Sequence, residues 1–102
     1  MSELEEEFAQ QLRLAKIPFL REVMPIPGRK FRWDFQIKDL LVEVQGGIWG
    51  KGGHSTGKGI TRDMNKLNLA TLHGFRSMQF SSNHIKDGSA LTTVISYIDK
   101  FS

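Results

Sequence analysis

Leu4, Phe8 and Leu12 recur every four residues, with Ala15 close to the same face, and this spacing predicts a helix over 2–14. Ser2 is placed to cap it, and Glu5 follows at the capping-box distance. Pro18 ends it at Ile17 or earlier. Residues 19–24 read as a first strand between Pro18 and Pro25, and Pro25, Pro27 and Gly28 form a turn. Alternation then predicts strands over 31–37 and 40–45, joined by a two-residue turn at Lys38 and Asp39. Ile60 to His73 regains a helical period, with Leu67, Ala70 and Met64 directed inward and Leu69 and Leu72 widening the stripe. Gly74 is the expected C-cap. A fourth strand is expected over 75–80, a connector over 81–83, and a terminal helix over 88–101. The predicted order is αβββαβα.

The hairpin register carries a chemical consequence. A two-residue loop pairs Ile37 with Leu40, Phe35 with Val42 and Trp33 with Val44, so that face is expected to be apolar throughout. The same register sets Asp34 opposite Glu43, with Cβ atoms about 4.5–5.5 Å apart. Like charges that close destabilise a sheet, and a divalent cation would remove the penalty. Mg²⁺ and Mn²⁺ prefer carboxylate and carbonyl oxygens, and an oxygen of Val44 is in place to add a ligand. Gln45 shares the side of Glu43 and can position water or phosphate. Glu5 or Glu7 on the first helix can join this group. An ordinary polar sheet face and a solvated acidic helical turn are the plain alternatives.

Seven of the fourteen residues from 46 to 59 are glycine, an unusual loop for so small a domain. His54 lies within it and can act as base or acid near neutral pH, or face solvent. Asp63 and Lys66 lie three apart on the central helix, as a surface ion pair or as groups near a metal and a scissile phosphate. His73 is suited to a helix C-terminus, and His84 has no evident partner. The segment around Lys58 is not a nucleotide-binding P-loop, because Gly59 stands where Ser or Thr is required.

With 102 residues the chain has room for a single domain spanning 1–102. The absence of cysteine excludes disulfides and thiolate metal sites, and fits a reducing, cytoplasmic setting. No apolar run is long enough to span a bilayer. The formal charge of +3 hides an asymmetry: beyond residue 7 there are 14 basic against 7 acidic residues. A polyanionic partner follows as a weak expectation. Arg29, Lys30, Arg32, Lys51, Lys58 and Arg62 are candidates for the phosphate backbone, and Trp49 for stacking on a duplex.

Asp34, then Glu43-Val44-Gln45 on the following strand, within an αβββαβ order, resembles the PD-(D/E)XK nuclease superfamily. More narrowly, FRWDF at 31–35, the glycine-rich string at 42–59 and the stretch 63–80 resemble small phage and bacterial proteins related to very short patch repair endonucleases. The resemblance implies an α/β, restriction-endonuclease-like αβββαβ core followed by a C-terminal helix. It implies a DNA endonuclease dependent on Mg²⁺ or Mn²⁺, working in a bacterial or phage-infected cell without membrane or nucleotide cofactor. Asp34 and Glu43 would hold the metal, and Glu5 or Glu7 would be the auxiliary acid. His54 and Asp63 match the histidine and acidic positions of related branches. Gln45 departs from the pattern, because the superfamily lysine usually stands there; Lys66, Lys58 or His54 would take that role. The small size suggests a homodimer for cutting both strands. A catalytically inactive DNA-binding or assembly module and a plain scaffold protein are the rival readings.

Overall fold

The structure is a computed structural model, and it describes residues 2–45 and 57–101. Helix α1 (Glu3–Leu14) opens the chain, and the Ser2 hydroxyl accepts the Glu5 amide at 3.1 Å. The three strands that follow are β1 (Leu20–Val23), β2 (Trp33–Ile37) and β3 (Leu40–Gln45). Helix α2 (Gly57–Leu72) crosses to β4 (Arg76–Ser81), and α3 (Ser82–Lys86) and α4 (Ser89–Phe101) close the order. The sheet runs β1-β2-β3-β4, antiparallel up to β3, with β4 parallel to β3. This is a restriction-endonuclease-like αβββαβ arrangement with C-terminal helices. No helix among the described residues is long and apolar enough to cross a membrane.

Helices α1, α3 and α4 cover one face. Phe8, Ala9 and Leu12 of α1 pack with Phe35, Ile37, Leu40, Val42 and Phe80, and Ile85, Val94 and Tyr97 complete that cluster. The other face carries a smaller cluster of Ile26, Phe31, Trp33, Leu41 and Ala70 beneath α2. Lys38 takes φ 56° in the tight turn, and Ile37 faces Leu40 as the expected register requires. Gly74, at φ 86°, ends α2 in a left-handed conformation open to glycine at low cost.

Four expectations need correction. Trp33 does not share the face of Phe35 and Ile37; it lies in the α2-side cluster with Leu41. The reversal coincides with a break in β1, where Glu22 takes a left-handed φ of 52°. Arg21 pairs with Phe35 and Val23 with Trp33, so Glu22 falls opposite Asp34. Across this point both strands turn over: Arg21 lies over the Phe35 ring, whereas Val23 packs against the α2-side cluster. The second correction concerns α2, which is buried only at Ala70, with Leu69 partly packed, while Met64, Leu67 and Leu72 are exposed. A single helix on a small sheet face leaves most of its circumference in water. Third, residues 82–86 form a helical turn, and His84 is engaged: its Nδ1 accepts the Ser81 amide at 3.0 Å, closing a capping box. Fourth, element bounds shift: β1 is shorter than expected, α2 begins by Gly57, and β4 runs one residue later.

Candidate functional site

The turn-over of β2 decides where Asp34 goes. Its side chain is almost buried, and Oδ2 accepts the Val44 amide at 2.8 Å. Asp34 thereby ties the end of β3 with a side chain. Glu43 and Gln45 follow the side of Leu41 and face α2. From α2, Lys66 reaches Glu43, with Nζ 2.8 Å from Oε1. Glu5 comes from α1 around the end of the sheet. A cavity of about 280 Å³ is lined by Glu5, Arg32, Asp34, Glu43, Val44, Gln45, Asp63, Lys66, Leu67 and Gln79.

Eight of the candidate site residues singled out in the sequence therefore meet in one place: Glu5, Arg32, Asp34, Glu43, Val44, Gln45, Asp63 and Lys66. Glu7 does not join them. It faces α3, where Lys86 donates to it at 2.8 Å, and this raises the Lys86 ammonium above its ordinary value. His54, Trp49 and Lys51 lie outside the described residues. His73 Nδ1 meets the Leu69 carbonyl oxygen at 2.9 Å near the end of α2, away from the cavity lining.

Four carboxylates against two cations leave the cavity lining with a formal charge of −2. Basic groups stand beside Glu5, Asp34 and Glu43. Glu5 lies 3.9 Å from Arg21, Asp34 lies 3.9 Å from Arg32, and Glu43 is bonded to Lys66. The repulsion expected between Asp34 and Glu43 is thus offset by protein cations. Arg21 was not marked by any spacing in the sequence. It lies 5.0 Å above the Phe35 ring and bonds Glu6 at 3.1 Å, while Nε and Nη2 make no hydrogen bond among the described residues and Nη2 keeps only the longer ion pair to Glu5. Nothing local to β1 announces this role, because its partners come from another element.

The donor set is carboxylate and carbonyl oxygen with no thiolate, which fits a hard cation such as Mg²⁺ or Mn²⁺. Among the described residues, no group of three or more His, Cys, Asp or Glu is arranged to hold a metal ion. Lys66 takes up a Glu43 oxygen that a shared cation would need, the Val44 amide takes up one of Asp34, and Arg32 stands 3.9 Å from the other.

A second cavity, of about 580 Å³, is lined by Arg29, Lys30, Phe31, Gly57, Lys58, Thr61, Arg62 and Asn65. It contains four cations and no carboxylate. The two cavities adjoin along α2, since Arg62 and Lys66 are one turn apart. Arg62 lies 5.1 Å from the Phe31 ring centre and Lys66 lies 4.6 Å from that of Trp33. The two cations, one helical turn apart, each lie over one ring of the Phe31 and Trp33 pair. Arg29 lies over Phe31 as well, at 5.7 Å.

Comparison with known proteins agrees with this architecture. The catalytic domain of the homing endonuclease I-Bth0305I matches over the full length of both chains, with a TM-score of 0.71 and 19% identity. At this identity the likeness speaks for the fold alone. No family model matches the chain, and no curated protein matches it.

Proposed function

We propose that the chain is a divalent-metal-dependent endodeoxyribonuclease, a single nuclease-like domain of the branch related to very short patch repair endonucleases. The observation that carries this reading is the adjacency of the two cavities. One gathers carboxylates from α1, β2, β3 and α2, and the next is wholly basic. The first suits a cation and the second a phosphate backbone. The likeness to a homing endonuclease domain supports it.

Asp34 and Glu43 would hold Mg²⁺ or Mn²⁺, with the Val44 carbonyl beside them and Glu5 as the auxiliary acid. The cation would supply an activated water and neutralise charge on the phosphoryl oxygens. Gln45 can hold water through its amide, in the place where a lysine is usual. Lys66 is positioned to meet the phosphate, and Asp63 shares its turn of α2. His54 remains a proposed proton carrier. Arg29, Lys30, Arg32, Lys58 and Arg62 would neutralise the DNA backbone, with Lys51 and Trp49 as further contacts. Cleavage of both strands would use a homodimer, in the cytoplasm of a bacterial or phage-infected cell.

A second reading, a nuclease-like DNA-binding or assembly module without activity, is favoured by one observation: Lys66 is bonded to Glu43 while Gln45 holds the lysine position. Incubating supercoiled, linear, nicked and branched DNA with Mg²⁺ or Mn²⁺ separates the two. The enzyme reading expects cleavage. Asp34→Asn and Glu43→Gln would each lower it by more than the roughly 10–100-fold that loss of an outer-shell partner costs. Folded protein that cuts none of these substrates defeats the enzyme reading, and cleavage unchanged in the variants defeats the site.

A further inference from the structure

We infer that Lys66 is an internal counter-ion that competes with the divalent cation for Glu43, so that loading the site is an ion exchange. This rests on the cation site proposed above. Three contacts locate the ammonium. Nζ is 2.8 Å from Glu43 Oε1, donates to the Arg32 carbonyl oxygen at 2.6 Å, and lies 4.6 Å from the Trp33 ring centre. The side chain is only 12% exposed, so water screens the Glu43 pair weakly.

A divalent ion bound between Asp34 and Glu43 brings two charges to the place where Lys66 already supplies one. Both cations need the same carboxylate oxygens, and like charges at this separation repel. Entry of the metal therefore requires Lys66 to give up Glu43. The Arg32 carbonyl and the Trp33 ring keep the stem and head of the lysine at the cavity wall after release. The freed ammonium faces the side from which the basic cavity would deliver a phosphate. One lysine thus stabilises the metal-free carboxylate and becomes available to the polyanion when the metal arrives. By linkage, each cation weakens the hold of the other on Glu43 by the same factor.

The test is Mn²⁺ affinity of the full chain, read by isothermal titration calorimetry and by the rise in Tm on adding Mn²⁺. Lys66→Met retains the apolar stem on Trp33 and removes the competitor; its affinity should rise roughly tenfold. Its Tm should also rise more on metal addition than that of the wild type, because Glu43 starts without Lys66. Arg62→Met removes a charge one turn away and should shift affinity by less than about threefold. Lys66→Arg, a stable alternative should the methionine variant not fold, offers Glu43 a two-pronged partner and should weaken Mn²⁺ binding. In a Glu43→Gln background the Lys66→Met gain should vanish. Equal or weaker binding by Lys66→Met overturns the inference and leaves the cation site standing. An equal gain in Arg62→Met also overturns it, since the effect would then be the general field. Absence of Mn²⁺ binding in every variant overturns the cation site itself, and the exchange with it.

Discussion

On one face of the sheet Phe8 meets Phe35 and Phe80 edge to face, at 5.2 and 5.8 Å, beneath three helices. On the other, Arg62 and Lys66 lie over Phe31 and Trp33, with α2 the one covering helix among the described residues. The first face is joined by apolar area, which tolerates little change of shape. The second is joined by a short apolar contact at Ala70 and by cations on aromatic rings. Cation–ring contacts and ion pairs can be exchanged for other charges without opening a cavity. The candidate site lies at the edge between the faces, with Glu5 from the rigid side and Lys66 from the adjustable one. Under the proposed function, a site that admits a cation and a polyanion would gain from that division: Glu5, Asp34 and Glu43 stand on the packed frame, and Lys66 on the helix with the lesser apolar contact.

Phe8→Ala is the largest expected break in this comparison. The ring is fully buried against two other phenylalanines, so its removal leaves a cavity and should cost about 3–5 kcal/mol. Urea unfolding followed by circular dichroism measures it. A loss below about 1 kcal/mol would mean that the three-helix face is no more rigid than the other.

A smaller effect distinguishes the same face by pH. Burial, and then the hydrogen bond to Asp39 at 2.5 Å, push the Tyr97 hydroxyl from its ordinary 10.0 up to about 12. The folded state therefore holds this proton more tightly than the unfolded chain does. The stabilisation is complete below pH 10 and is lost as pH rises through 12, by about 2–3 kcal/mol in total. Tyr97→Phe should remove that alkaline slope, at a cost of about 1 kcal/mol at neutral pH. Equal slopes in the two proteins between pH 10 and 12 would assign the alkaline loss to other groups.

Much of this architecture was legible where a pattern is local. The α1 stripe, the Ser2 cap, the 38–39 turn and the hairpin register depend on neighbours in sequence, and the structure has them. The convergence of Asp34 and Glu43 followed from the register, and Asp63 and Lys66 from helical spacing near it. What could not be read depends on distant partners. The reversal of Trp33 accompanies a left-handed residue, Glu22, on another strand. Glu5 and Glu7 were both open as the auxiliary acid, and their partners on other elements separate them: Lys86 on α3 holds Glu7, while Glu5 lines the cavity near Arg21. Arg21 acquires its role from α1 and from the Phe35 ring. The neutralising pairs of the cavity were likewise hidden, because spacing brings like charges together without saying which bases will answer them.

The apolar residues of α2 give the smallest and sharpest contrast. Periodicity placed Met64 on the inward stripe, where replacing it would cost about 2–5 kcal/mol if it were core. In the structure it is 57% exposed, and α2 buries only Ala70 completely. Met64→Gln keeps the length and helix propensity of the side chain and adds an amide that water can solvate. Its expected effect on urea stability is within about 0.5 kcal/mol, the range of surface changes away from special features. Met64 is also neighbour to Asp63 and Arg62 in sequence, so the variant leaves both cavities with their charges. A loss above about 1.5 kcal/mol would show that α2 is bound by apolar packing as the three-helix face is. The adjustable character argued for Lys66 would then lack its physical basis, because a helix so packed could not let its cations change partners cheaply.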